Sequence, residues 1–208
     1  MTRTSDQDLT RRFGTRAVHA GQTPDPLAGA VMAPIYQTST YIQDALGRHK
    51  GFEYARTRNP TREALERNVA ALEGGRHGFA FGSGLAALDA VMKLLSAGDH
   101  VVCGENVYGG THRQMTHVWA RMGMTFTFVD AGDTGRIAAA VTPQTKLLYA
   151  ETPTNPMMRL CDLQAAGAIA RSAGGGPCSS WTTRSRPPAS SGRSSSAPTS
   201  CCIPRRST

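Results

Sequence analysis

The strand-to-helix turn in FAFGSGLAAL (residues 79–88) has the residue types that can hold a phosphate group. Ser83 and Gly84 open a predicted helix, and Leu85 follows them. The first turn of a helix has unpaired N–H groups and the positive end of the helix dipole, so it attracts anions. Such turns also use glycine and serine for their geometry alone, so this short pattern is weak evidence by itself.

Tyr54 and Arg56 in FEYARTRNPT (52–61) are a second candidate for a phosphate contact. They stand two residues apart in a segment that we predict to be extended, where alternate side chains point to the same side. A phenol and a guanidinium on one side suit a phosphate dianion. An ordinary pair of surface side chains is the alternative interpretation.

Tyr108 and Arg113 in NVYGGTHR (106–113) follow the end of the predicted strand at 100–103. Parallel sheets bind their ligands at that edge. A tyrosine ring there can stack on a flat cofactor, and a guanidinium can pair with a carboxylate. A simple Tyr-Gly-Gly turn is the alternative.

Glu151 and Asn155 in YAETPTNP (149–156) follow another predicted strand. Both side chains can hydrogen-bond a polar substituent of a ring, and two prolines restrict the loop that carries them. The alternative is a proline-rich turn without a ligand.

Alternating helices and strands would position these side chains. The sequence predicts helices at 59–75, 83–98, 111–123, 134–141 and 161–174, and strands at 77–81, 100–103, 125–130 and 146–151. The first of these helices has an N-cap asparagine, Asn59, followed by Pro60. Strands that alternate with helices favour a parallel sheet covered on both faces. Residues 1–58 lack such periodicity and predict an irregular arm that packs on a neighbouring subunit.

The charge of the chain is unevenly distributed. Residues 1–176 have 18 basic and 15 acidic residues, whereas residues 177–208 have five arginines and no acid, so the net charge of +8 comes mainly from the tail. The body has no basic stripe with interleaved aromatics, which argues against a nucleic-acid partner.

The apolar and metal-binding residue types exclude further classes. No apolar run is long enough to span a membrane, and the first residues lack the apolar segment of a secretory signal. Histidine and cysteine spacings match no metal site, and Cys103 and Cys161 are expected to be core thiols. We therefore expect a cytoplasmic protein.

Four motifs in one order, EYARTRNPTREALE, FGSGLAAL, VYGGTHR and ETPTNP, closely resemble the Cys/Met-metabolism family of pyridoxal-phosphate (PLP) enzymes. That family includes cystathionine γ-synthase and γ-lyase, and the resemblance covers about residues 14–174. It implies an α/β fold of the aspartate-aminotransferase type, PLP as cofactor and a homotetramer. In that fold residues 59–174 would be a partial large domain, and residues 175–208 an aberrant, disordered tail.

The resemblance also implies a role for the phosphate candidates. Ser83, Gly84 and Leu85 would hold the cofactor phosphate. Tyr54 and Arg56 would contact the phosphate bound by a neighbouring subunit.

The remaining candidates would contact the cofactor ring or the substrate. Tyr108, which is also the catalytic candidate, would stack on the pyridine ring. Asn155 would bond the phenolic oxygen of the ring, with Glu151 nearby. Arg113 would bind the carboxylate of an amino-acid substrate.

The family also has an aspartate and a Schiff-base lysine at positions that would follow residue 174. Neither is present there, since Lys50, Lys93 and Lys146 are the lysines of the sequence. The implied activity is PLP-dependent transsulfuration, in which a carbon–sulfur bond forms or breaks at the γ-carbon of a homoserine ester or cystathionine. Without the lysine, the chain as written is expected to be inactive.

The genetic code suggests that a shifted reading frame encodes the missing aspartate and lysine. Trp181 (TGG) and Thr182 (ACN), read from the third base of codon 181, give GAC, which encodes Asp after four triplets for apolar residues. The same frame permits Ser-Thr-Thr-Lys-Tyr at the end of the chain. We therefore expect a C-terminally truncated chain that is frameshifted after about residue 174, with a natural disordered tail as the alternative.

Two other functions remain open from the residues. One is a non-catalytic remnant that binds phosphate or associates with subunits through its arm. The other is a nucleic-acid-binding protein that uses the basic tail.

Overall fold

The structure, a computed structural model, describes residues 13–172, 178–184 and 199–200 of the 208-residue chain. The chain divides into two compact units, residues 1–80 and 81–208. The first unit contains helices and a small hairpin, and the second contains a sheet with helices on both faces.

The first unit has two helices and one antiparallel hairpin. They are α1 (Phe13–His19), β1 (Gln43–Ala45), β2 (Arg48–His49) and α2 (Pro60–Leu72). Helix α2 begins as predicted, because the Asn59 side chain accepts hydrogen bonds from the main-chain N–H groups of Thr61 and Arg62 at 2.9 and 3.4 Å. The helix ends before Gly74, whose φ of +68° is typical of a helix terminus.

Helix α1 and the hairpin correct the prediction that the arm is irregular throughout. Nη2 of Arg16 donates to a carbonyl in the last turn of α2 at 2.8 Å, and Nδ2 of Asn68 donates to the carbonyl of Ala20 at 2.8 Å. At Gly21, φ is +69° and a Cβ would lie 2.4 Å from the carbonyl oxygen of Arg67. Only glycine fits there, so Gly21 allows the arm to pack closely on α2.

The second unit is built on a five-stranded sheet. Its strands are β3 (His100–Gly104), β4 (Thr125–Val129), β5 (Thr145–Thr152), β6 (Cys178–Arg184) and β7 (Thr199–Ser200). The order is β4-β3-β5-β6-β7, in which only the β6–β7 pair is antiparallel among these strands. Its helices are α3 (Gly84–Met92), α4 (Gly109–Gln114), α5 (Thr134–Ala140) and α6 (Leu163–Ser172). The predicted parallel sheet is confirmed.

Side chains of the central strands alternate between two cores, one on each face of the sheet. On β3, Val101 and Cys103 pack on the side of α3 and α4, whereas Val102 packs on the side of α5 and α6. The other buried members are Leu88, Met92, Met115, Trp119, Met124, Leu147 and Tyr149 on the first face, and Ile137, Leu148, Ala150, Cys161, Ala166 and Ala170 on the second. Both predicted core thiols, Cys103 and Cys161, are buried.

Residues 77–81 do not form the strand predicted for them. Phe79 is exposed, and no strand in the described part of the chain pairs with this segment. A strand needs a neighbour to satisfy its main-chain groups. Here the N–H of Ala80 donates instead to the carboxylate of Glu66 at 2.9 Å.

Two predicted helices differ in their bounds. Helix α3 ends at Met92 rather than at residue 98, because a turn follows in which the Asp99 carboxylate accepts from the N–H of Ser96 at 2.7 Å. Helix α4 begins two residues earlier than predicted, and it continues as a π-helical turn (Met115–Trp119) and a 3-10 turn (Ala120–Met122).

Part of the tail predicted to be disordered forms strands. Strand β6 pairs in parallel with β5, from Leu147 opposite Cys178 to Thr152 opposite Thr183. The polar sequence of β6 has no apolar alternation from which a strand could be predicted, whereas main-chain pairing does not require one. Residues 1–12 of the predicted arm and residues 173–177, 185–198 and 201–208 of the predicted tail lie outside the described residues.

Candidate functional site

The strands β3, β4 and β5 end at one edge of the sheet, which we call the carboxyl edge and which is marked by Gly104, Val129 and Thr152. A short connection joins the end of α3 to the start of β3, so α3 begins toward the carboxyl edge and ends near the opposite one. Nε2 of Gln114 donates to Asp89 at 3.3 Å and ties α4 to α3. A pocket at the carboxyl edge is lined by Gly104, Asn106, Asp130, Glu151, Thr154 and Arg159, among others.

Ser83 caps helix α3 and leaves main-chain donors available. Its Oγ accepts from the N–H of Ala86 at 3.1 Å, and its carbonyl accepts from the N–H of Ala87 at 3.1 Å. The first-turn N–H groups of Gly84 and Leu85 have no acceptor in the described part of the chain. Because Ser83 and Gly84 are also exposed, this turn fits a phosphate group.

Tyr108 stands at the start of α4 with its side chain half-exposed. Its main-chain N–H donates to Oε2 of Glu151 at 2.9 Å, and its carbonyl accepts from the N–H of His112 at 3.2 Å. The ring has an accessible face at the carboxyl edge, and such a ring can stack on a planar cofactor.

Glu151 is buried at the end of β5, with 6% of its surface exposed. The sequence predicted a contact to a ring substituent for this carboxylate, whereas the structure shows it as the acceptor for the Tyr108 main chain. The negative charge lies at the start of α4, where it interacts favourably with the helix dipole. Burial raises the pKa of the nearby Cys103 thiol, and the Glu151 carboxylate raises that pKa further.

Asn155 lies exposed on a loop that a ring of hydrogen bonds closes. The N–H of Thr154 donates to the carbonyl of Arg159, and the N–H of Arg159 donates to Oγ1 of Thr154, both at 3.0 Å. Nη1 of Arg159 then contacts Asp130 at 2.6 Å and lies 3.9 Å from Glu105. Main-chain donation from Gly132 and the Arg159 guanidinium lower the pKa of Asp130.

Arg113 is exposed in the last turn of α4 and makes no ion pair with any described residue. It follows Tyr108 by five residues, which is about 140° around a helix axis. The two side chains therefore leave the helix in different directions. The exposed guanidinium is accessible to an anionic group, and its contact with a substrate carboxylate stays a prediction.

Tyr54 and Arg56 belong to the first unit, where they contact each other. The Arg56 guanidinium lies 4.6 Å from the centre of the Tyr54 ring. The prediction of an extended segment is wrong, because the N–H groups of Thr57 and Arg58 both donate to the Tyr54 carbonyl at 3.0 Å and form a turn. The two side chains are adjacent because the chain turns and the guanidinium stacks.

Arg62 was not singled out from the sequence, yet it organises this turn. Its guanidinium donates to the carbonyls of Ala55 and Arg56 at 3.5 Å and to that of Thr57 at 2.5 Å. It also lies 3.6 Å from the Glu66 carboxylate. A basic residue in the first turn of α2 was the available signal, since a carbonyl-rich turn directly before a helix needs donors.

The described residues contain neither a metal-binding cluster nor a membrane-spanning helix. No group of three or more His, Cys, Asp or Glu side chains in that part of the chain could hold a metal ion. None of its helices combines the length and the apolar character needed to cross a membrane.

Known proteins resemble this chain in both sequence and structure. A probable cystathionine γ-synthase of Herpetosiphon aurantiacus is 50% identical over 162 residues, which cover 78% of this chain and 51% of that protein. A cystathionine β-lyase of Coxiella burnetii is 49% identical over 169 residues, 81% of this chain and 44% of that protein. The crystal structure of cystathionine γ-lyase from Lactobacillus plantarum complexed with L-serine matches with a TM-score of 0.75 and 44% identity, over 82% of this chain and 44% of that one.

The chain thus spans about half the length of these relatives. The sequence model of the family described as Cys/Met metabolism PLP-dependent enzyme matches residues 14–179, which is most of the chain. The resemblance seen in the four motifs is confirmed: the chain belongs to the Cys/Met metabolism family of PLP-dependent enzymes.

Proposed function

We propose that this chain holds PLP for an enzyme that forms or breaks carbon–sulfur bonds in amino acids. The single observation that carries the proposal is the carboxyl edge, which has a helix start with free N–H groups and a half-exposed tyrosine ring. Both features suit PLP, on which the enzymes of this family depend. A phosphate needs the first feature, and a planar pyridine ring needs the second. When bound, the cofactor supplies an electron sink for carbanion chemistry.

The residues of the second unit would bind and orient this cofactor and its substrate. Ser83, Gly84 and Leu85 would hold the phosphate with a hydroxyl and two main-chain donors. Tyr108 would cover one face of the ring, and the Asn155 side chain would hydrogen-bond a polar ring substituent. The exposed guanidinium of Arg113, which forms no ion pair with any described residue, would bind the substrate carboxylate.

Tyr54 and Arg56 would act on a phosphate held by a second copy of the chain. The guanidinium stacks on the phenol ring, and both groups are anchored to one turn. A stacked guanidinium keeps its outward N–H groups for an anion. The family resemblance favours a homotetramer as the assembly that brings the copies together.

The γ-carbon of cystathionine or of a homoserine ester is the proposed reaction centre. The relatives named cystathionine γ-synthase and γ-lyase support this choice, and the β-lyase relative makes cleavage at the β-carbon the competing outcome. Product analysis separates the two reactions, because γ-cleavage of cystathionine releases cysteine whereas β-cleavage releases homocysteine.

Binding of pyridoxine 5′-phosphate, which lacks the aldehyde, tests the cofactor site without covalent chemistry at surface lysines. Ser83→Asp keeps an N-cap but adds a negative charge, and the matched control Ser83→Asn keeps the cap without the charge. We expect Ser83→Asp to raise the Kd about tenfold or more by charge repulsion, and Ser83→Asn to change it about threefold at most. Equal Kd values for the two variants would contradict the proposal.

A second candidate function is binding without catalysis, and the placement of two lysines favours it for these 208 residues. Lys146 is the second residue of β5 and stands five residues before Glu151, about 16 Å along the strand. Lys93 follows the last residue of α3 and pairs with Asp89 at 2.7 Å, about 15 Å from the start of the helix. Both therefore lie far from the carboxyl edge.

Borohydride treatment in the presence of PLP tests this second candidate. We expect weak labelling spread over surface lysines, without turnover of cystathionine. Stoichiometric labelling of one lysine together with cysteine release would show that a lysine of this chain serves the reaction, and would exclude the non-catalytic role.

A further inference from the structure

We propose that Gly110 and Glu151 fix the position of the Tyr108 ring before any ligand binds. Glu151 would hold the main chain of the tyrosine, and the missing side chain of Gly110 would leave room for its ring. This inference rests on the proposed function, in which the ring stacks on the cofactor, and it assigns positioning roles to two residues that do not themselves need to contact it.

Glu151 fixes the position of the Tyr108 main chain. Its buried carboxylate accepts from the Tyr108 N–H at 2.9 Å, and it is attached to β5, a central strand of the sheet. The Tyr108 side chain does not cap α4, so this bond takes the place of a cap. The main chain of Tyr108 is thereby tied to a buried central strand of the sheet.

Gly110 fixes where the ring can lie. A Cβ at this position would stand 2.4 Å from Cε1, 3.0 Å from Cδ1 and 3.1 Å from Cζ of the Tyr108 ring. The ring therefore lies directly over the glycine, which is buried although Tyr108 and Gly109 before it are exposed. The backbone of Gly110 has no left-handed φ that would itself demand glycine.

Gly109 provides the contrast. A Cβ there would have no heavy atom within 4 Å, and its φ is not left-handed either. Alanine at either position adds one methyl group to the first turn of α4 and gains the same helix propensity. The nearest atoms that the methyl group would meet at residue 110 belong to the Tyr108 ring, whereas at residue 109 it would meet none.

The expected effect of Gly110→Ala is a displaced ring on an intact helix. The atoms that the new methyl group would meet are the outer atoms of a half-exposed side chain, which can rotate into solvent. The helix main chain has no reason to move. The ring would leave its position over residue 110, and a ligand that stacks on it would lose that contact.

Two measurements on the full 208-residue chain test the inference. Nuclear Overhauser contacts between the Tyr108 ring protons and the α protons of residue 110 report the ring position without any ligand. We expect them in the unmodified chain and in Gly109→Ala, and we expect their loss in Gly110→Ala. The second measurement is the Kd for pyridoxine 5′-phosphate, which we expect to rise about threefold to tenfold in Gly110→Ala and less than about twofold in Gly109→Ala.

Variants of Glu151 test whether this residue holds the main chain of Tyr108. Glu151→Gln keeps an oxygen that accepts from the Tyr108 N–H, whereas Glu151→Ala removes it. We expect Glu151→Ala to weaken the ring contacts to residue 110 and to raise the Kd, and Glu151→Gln to restore most of both.

The outcomes separate the inference from the proposed function. If Tyr108→Ala leaves the Kd unchanged, the stacking role fails and the functional part of the inference fails with it. If Tyr108→Ala weakens binding but Gly110→Ala behaves like Gly109→Ala, the proposed function stands and the inference is overturned. Absence of the ring contacts in the unmodified chain would also overturn it.

Discussion

The two edges of the sheet differ in whether their polar groups are paired within the protein. At the amino edge, where β3 and β5 begin, His100 is buried, and its two ring nitrogens each lie 2.8 Å from a threonine hydroxyl, those of Thr127 and Thr145. At the carboxyl edge, donors at the start of α3 and the side chain of Asn155 are exposed. Saturated polar groups hold a fold together, whereas unsaturated ones at a preformed edge are available for a ligand.

Restoring the other reading frame from about codon 175 should have the largest effect, because it should add catalytic groups at the carboxyl edge. We propose that the shifted triplet across codons 181 and 182 encodes an aspartate, and β6 sets Trp181 and Thr182 opposite Ala150 and Glu151 at the carboxyl edge. The same frame permits a lysine further on, where the resemblance implies one. We expect the corrected chain to turn over cystathionine, whereas the chain as written does not.

The coding DNA provides the check on this reading frame. A stop codon in the shifted frame before the lysine triplet would contradict the proposal, and so would a triplet there that does not encode lysine.

His100→Ala should produce the largest change in stability at the amino edge. The substitution leaves the hydroxyls of Thr127 and Thr145 without their shared partner and opens a small cavity, which costs about 2–4 kcal/mol in the free energy of unfolding. The Kd for pyridoxine 5′-phosphate should stay the same, because the ligand edge is untouched. Urea denaturation and ligand titration on the same sample measure both quantities.

A change in pH should act on the two edges in different ranges. Burial lowers the pKa of His100, so the folded chain binds fewer protons than the unfolded chain just below the ordinary histidine pKa of about 6.5. Stability should therefore fall as the pH drops through that value. The pKa of Asp130 at the carboxyl edge is also lowered, and the stability that it contributes is lost only below about pH 4.

Urea unfolding between pH 4 and 8 measures the first of these ranges. Replacement of His100 by Gln should flatten the curve near pH 6. An unchanged slope in that variant would show that another group titrates there.

Arg159→Gln should have the smallest effect on stability, since solvent screens its ion pair with Asp130 and such surface pairs stabilise a fold little. We expect a rise in the Kd of about twofold to threefold, because the loop that carries Asn155 loses its tie to β4. Arg136→Gln, which removes another exposed arginine paired with an aspartate, is the matched control and should leave the Kd unchanged. Equal effects of the two variants would show that the tie has no role in binding.

Local sequence rules predicted most of the second unit. The sequence predicted α3 and α6, although α3 is shorter than expected, and it predicted the strands β3, β4 and β5. The order of the four motifs predicted which strand ends carry the candidate side chains. These features depend on neighbours in sequence, which a pattern of residue types records directly.

Features that depend on distant partners could not be predicted in this way. Residues 77–81 have the composition of a strand, but pairing needs a second segment that no local pattern reveals. The turn at Tyr54 depends on Arg62, and the room for the Tyr108 ring depends on what Gly110 lacks. The sequence YGG is compatible with a simple turn. Only the structure shows that its second glycine lies under the ring and its first does not.

Arg62 has a consequence for the cost of association. Its guanidinium donates to three successive carbonyls of the turn that carries Tyr54 and Arg56, so the backbone of this segment is already ordered in the single chain. Ordering a flexible segment of this length would cost about 1–2 kcal/mol for each residue at the moment of binding. In this chain that entropy is lost during folding, so under the proposed role the attraction between the guanidinium and a phosphate would not be offset by this cost.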